Sequence, residues 1–110
     1  MQTFRFRALV TLHEGAPDVP AARWPIGRHT VMVHACRLGR QDCYRHFPAA
    51  VCKDDGQPLH SGERAVVTVT LADDDAAKFF GPGQNFTLWT GTDVGHGIVS
   101  RRAFVPSGPC

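Results

Sequence analysis

Residues 4–13, FRFRALVTLH, alternate in character along their whole length. Phe4, Phe6, Ala8, Val10 and Leu12 fall on one face, and Arg5, Arg7, Thr11 and His13 on the other. A strand sends successive side chains to opposite faces, so this period of two predicts a half-buried strand. Elsewhere too, no segment sustains the about 10–12 periodic residues that favour a helix. HTVMVHAC (29–36) sets Val31, Val33 and Ala35 against Met32, His34 and Cys36. RAVVTVTL (64–71) is the clearest strand, because β-branched residues dominate it. NFTLW (85–89) and VGHGIVSRRAF (94–104) form a final pair, with Phe86 and Leu88 on one side and Val94, His96 and Ile98 sharing a face. Residues 44–52 hold a short strand, broken or bulged at Pro48.

The stretches between these strands are turn chemistry. EGAPDVPAARWPIG (14–27) has three prolines and two glycines and reads as a long loop. KDDGQPLHSGE (53–63) is turn-forming throughout, and ADDDAAKFF (72–80) winds into a helical turn ended by GPGQ. Six short strands in a chain of 110 residues predict an all-β sandwich or barrel, and closure into a small barrel is the economical way to remove exposed edges. One domain is expected over residues 1–105, with a frayed tail at 106–110.

Charge is unevenly placed. The net charge is +2, but residues 1–50 carry seven arginines against Glu14, Asp18 and Asp42, a balance of +4. Arginine suits phosphate and carboxylate forks. No stretch approaches the roughly 18 apolar residues of a membrane span, and MQTFRFRALV lacks the apolar run of a signal peptide. The compartment expected is the cytoplasm.

Several chemistries can be tested on spacing. A phosphate-cradling loop needs G-x-x-x-x-G-K-[ST] or G-x-G-x-x-G before a helix, and Gly91, Gly95 and Gly97 match neither. TGTD (90–93) is instead a hairpin turn in which Gly91 supplies the positive φ, and Gly95 and Gly97 mark a bulge or a close approach. His34, Cys36, Cys43, His46 and Cys52 crowd the middle of the chain, but the C-x6-C-x8-C intervals are not those of zinc knuckles. Reduced, partly buried thiols are expected, with no metal and no cofactor. Ser61, Ser100 and Ser107 lack the G-x-S-x-G elbow, while Cys43 or Cys52 beside His46 stands as an alternative nucleophile. Asp73, Asp74 and Asp75 read as a solvated turn, a divalent-cation site being the alternative. Trp24, Tyr44 and Trp89 could offer stacking planes beside the arginines.

The order of segments adds a resemblance. FRALVTLHEG, then a Pro-rich loop into IGRHTVMVHA, then PLHSGERAVVTVTL, then FFGPGQNFTLWTGTDVGHGIV together resemble the C-terminal β-barrel domain of elongation factor Tu. The resemblance spans nearly the whole chain, and its closing hairpin, Phe86 to Val99, is its most specific part. It implies a six-stranded antiparallel Greek-key barrel without the separate GTPase domain, hence a non-catalytic, translation-related module that associates with a protein partner or itself. On that basis Thr90, Gly91, Asp93 and His96 are the candidate partner-binding residues. The alternatives are RNA or tRNA binding through Arg28, Arg37, Arg40, Arg45 and Trp89, and a thiol- or metal-dependent activity within residues 34–52.

Overall fold

The computed structural model of the chain describes residues 4–19, 31–36, 44–71 and 79–100. Six strands form: β1 (Phe4–Leu12), β2 (Val31–Cys36), β3 (Tyr44–Lys53), β4 (Arg64–Leu71), β5 (Asn85–Trp89) and β6 (Asp93–Val99). They close into a barrel in the order β1-β4-β3-β2-β5-β6, and every neighbouring pair is antiparallel. β2, β3 and β4 follow one another as a meander and β1 lies beside β4, which is a Greek-key order. Among the described residues there is no helix. The segment 72–78, where a helical turn was expected, lies outside them, as do Trp24 and Asp73–Asp75.

The alternation along β1 holds: Phe6, Ala8, Val10 and Leu12 are buried. Two local expectations change. β3 runs unbroken through Pro48, which pairs with Met32. The ladder to β4 starts only at Ala49, so proline sits where β3 has a neighbour on one side, the position a strand tolerates. The irregularity falls in β6 instead. Leu88 pairs with Gly95 and Trp89 with Asp93, which leaves Val94 as an extra residue between them. That bulge turns Val94 into the core, away from the exposed face of His96 and Ile98.

Phenylalanine fills the interior. The Phe6 ring stacks on Phe80 at 4.9 Å, and Phe86 meets both edge-on at 5.8 and 5.9 Å. Phe47 packs edge-on against Phe79 and Phe80 at 5.1 and 5.3 Å. Such tilted and edge-to-face contacts suit the ring quadrupole. Phe79 and Phe80 come from no strand. They precede a turn in which Gln84 N–H donates to the Gly81 carbonyl at 3.0 Å, with Pro82 and the positive-φ Gly83 at its centre. Gly83 N–H then donates to the Val99 carbonyl and pins the turn to β6.

Gly97 is needed by this packing. A Cβ there would stand 2.4, 2.8 and 2.9 Å from three carbons of the Phe86 ring. At Gly95 a Cβ would meet the Thr11 carbonyl oxygen at 2.5 Å. Both glycines therefore mark close approach, and β6 passes the β1 backbone and the Phe86 ring without side chains.

The cysteine expectation is corrected. Cys52 is disulfide-bonded, not a reduced thiol; no other cysteine side chain is among those described. It alternates to the outward face of β3, opposite Thr68, yet Ala50, Cys52, Thr68 and Thr70 on that face are all buried. A shielded outward patch is a place where a disulfide can persist.

Two outcomes are expected. Gly97→Ala should destabilise the barrel by about 1–3 kcal/mol in urea unfolding, and the loss should shrink in a Phe86→Leu background, where the clash is relieved. Thiol titration of unreduced, denatured protein should find no more than two of the four cysteines free. Reduction should then cost about 2–4 kcal/mol of stability.

Candidate binding surface on the outer wall

The described interior is packed with apolar side chains, so the outward rows of residues are where chemistry can be offered. Antiparallel register places one such row across all six strands. Arg64 pairs with Thr11, Thr11 with His96, His96 with Thr87, Thr87 with His34, and His34 with His46. Three histidines far apart in sequence thus share one cross-strand row. Their neighbours are set by the pleat, because partners in adjacent strands lie within reach of one another.

His34 and His46 lie face to face, with centroids 3.8 Å apart and planes within 7°. The Trp89 ring lies 5.5 Å from His34. Nε2 of His34 is buried and has no hydrogen-bond partner. Burial lowers the pKa of His34, and the adjacent His46 adds to the effect, against a smaller opposing pull from Asp93. Beside the pair, a cleft of about 230 Å³ opens between His34 and His96, lined also by Asn85, Phe86 and Thr87.

Apolar side chains flank the cleft. Ile98, 42% exposed, pairs with Asn85 on its wall and continues through Leu9 to Val66, 46% exposed. Trp89, 37% exposed, stands on the other side beyond His34. A surface that interleaves large apolar groups with polar ones resembles the centre of a protein interface.

The proposed partner-binding residues belong to this region. Thr90, Gly91 and Asp93 are exposed at the β5–β6 hairpin, where Thr90 N–H donates to the Thr92 carbonyl and Gly91 has φ of 96°. Asp93 Oδ1 is 3.1 Å from His13 Nε2 and accepts from Gly95 N–H at 3.2 Å, which holds the hairpin against the end of β1. His96 points outward with its ring 5.9 Å from that of His13.

The RNA-binding candidates are not brought together among the described residues. Arg28, Arg37 and Arg40 lie outside them. Arg45 alternates to the inward face of β3 near its end and lies over the rings of Phe47 and Phe79, at 5.1 and 6.0 Å. Trp89 is on the outer face. The alternative nucleophile Cys52 is in a disulfide, and Cys43 lies outside the described residues. Ser61 Oγ accepts from Gly15 N–H at 2.8 Å, a structural role in a loop. Among the described residues no group of three or more His, Cys, Asp or Glu is placed to hold a metal ion.

Sequence reading named His96 but not its alignment with His34, Thr87 and His46. It also missed the cluster that ties two loops together at one barrel end. There Glu63 accepts from Lys53 Nζ at 2.6 Å and His60 N–H at 2.8 Å, while Asp18 lies 3.0 Å from His60 Nδ1. These bonds hold the carboxyls of Glu63 and Asp18 below their usual range and raise the pKa of Lys53. No family model matches the chain, and no curated protein matches its sequence.

The depressed pKa of His34 has a defined sign. The unfolded chain binds a proton near pH 6.5, and the folded chain resists until lower pH. Stability is therefore complete above about pH 6.5 and is lost as pH falls from there through the folded value. Urea midpoints should fall between pH 7.5 and 5.5, and His34→Gln should reduce that fall. Asp18 and Glu63 lose their contributions only in the lower, carboxylate range.

Proposed function

We propose that this chain is a non-catalytic binding module that engages a protein partner through the outer wall of β2, β5 and β6. The observation that carries this is the flanking of the His34–His96 cleft by exposed Trp89 and Ile98. Tryptophan and aliphatic anchors around desolvated polar groups are what energetic centres of protein interfaces are made of. Among the described residues, the same wall favours a protein over RNA as the occupant. Arg64 stands at the end of the row and Asp93 at the hairpin, whereas binding through phosphates needs a track of cations.

The likeness to the C-terminal barrel of elongation factor Tu is supported by segment order and by a closed antiparallel barrel of six strands. A link to translation rests on that likeness alone. The disulfide at Cys52 favours an oxidising compartment over the cytoplasm, since such bonds are rare where thiols are kept reduced. No helix among the described residues is long and apolar enough to cross a membrane.

Capture from native extract with the unreduced chain as bait tests the proposal. A protein should be retained by the wild type and lost with Trp89→Ala or Ile98→Asp, both at exposed positions that leave the core intact. Light scattering of the free chain distinguishes self-association from a second protein. Recovery of nuclease-sensitive RNA, with affinity falling steeply as salt rises, would replace the protein reading with the RNA one.

A further inference from the structure

We propose that His34 and His46 form a two-imidazole site for a late first-row divalent transition metal, Zn²⁺, Ni²⁺ or Cu²⁺, on the outer wall of the barrel. The residues are direct cross-strand partners, and their rings lie parallel with centroids 3.8 Å apart. Two imidazole nitrogens bound at about 2.0–2.1 Å to one ion stand roughly 3.0–3.4 Å apart with their lone pairs converging, so binding requires the exposed His46 ring to rotate out of the stack about its side-chain torsions until a nitrogen of each ring faces the ion.

The chemistry of the pair fits that role. Nε2 of His34 is buried without a hydrogen-bond partner, which is unusual for a buried polar atom. A neutral imidazole keeps one nitrogen lone pair, the form that binds metal. Burial and the neighbouring ring both favour the neutral form of His34. His46 is exposed, so its ring is free to rotate and the remaining coordination positions open to water. Asp93 contributes negative charge felt at His34, while its carboxylate stays with His13 and Gly95. With imidazole donors and no carboxylate in the pair, Mg²⁺ and Ca²⁺ are disfavoured and the nitrogen-seeking ions selected. Nothing here depends on the protein-docking role of the wall.

The untagged, unreduced full chain is titrated with Ni²⁺, Zn²⁺ and Cu²⁺ at pH 7.5 by calorimetry. One ion should bind per chain, and His34→Gln or His46→Gln should each weaken binding at least about tenfold, since even loss of an outer partner of a metal ligand costs that much. His96→Gln should retain it. Cu²⁺ should quench Trp89 emission in step with occupancy, and Trp89→Phe should remove that quenching without removing binding. In the wild type, Cu²⁺ should broaden the imidazole resonances of His34 and His46 before those of the other histidines, a measurement that needs no variant to fold. Absence of saturable binding by all three ions, equal binding by folded His34→Gln and His46→Gln, or first broadening at other histidines would overturn the site.

Discussion

The Phe86 ring occupies the space where a side chain on residue 97 would stand, and the barrel closes around that contact. Phe86 can lie there only because β6 carries glycine, and from there it meets the edges of Phe6 and Phe80. Those rings lead to Phe47 and Phe79, so aromatic contacts link β1, β3, β5 and the segment before β5 into one interior. Antiparallel closure leaves no free edge among the six strands, and the packed interior holds their relative register.

Register is what builds the outer wall. With side chains alternating at a period of two, fixing the inward set fixes the outward set as well. Phe86 and Leu88 turn inward, so Thr87 and Trp89 turn outward beside His34. Val33 and Phe47 turn inward, so His34 and His46 face each other outside. The Val94 bulge then resets β6, which lets the hairpin end at Asp93 while His96 and Ile98 remain on the surface. The stacked histidines, the cleft and its apolar flanks are all consequences of the core's packing, and Phe86 belongs to both core and cleft.

Much of this fold was legible in local pattern. Alternation in 4–12 predicts a strand whose inward face the structure keeps, and the β-branched run at 64–71 predicts a strand that forms. Gly91 was readable as a turn residue, and Gly95 and Gly97 as sites of a bulge or a close approach. Pro48 misled because a local rule cannot see that β4 begins its pairing one residue later. Phe79 and Phe80 carry no periodic signal, for they reach the core from a turn rather than from a strand. The disulfide of Cys52 was equally hidden, since spacing does not reveal which outward face will be shielded.

The sequence by itself determined where the six strands lie, the inward and outward sets of β1, β2 and β5 and the turn at Gly91, because these depend on neighbours within a few residues. Only the tertiary structure decided that His96, Thr87, His34 and His46 stand in one row and that Cys52 is bridged. His34 and His96 are separated by most of the chain and meet across β5. Their proximity comes from strand order and barrel closure, long-range choices made by the packing of the whole core and written in no short stretch of residues.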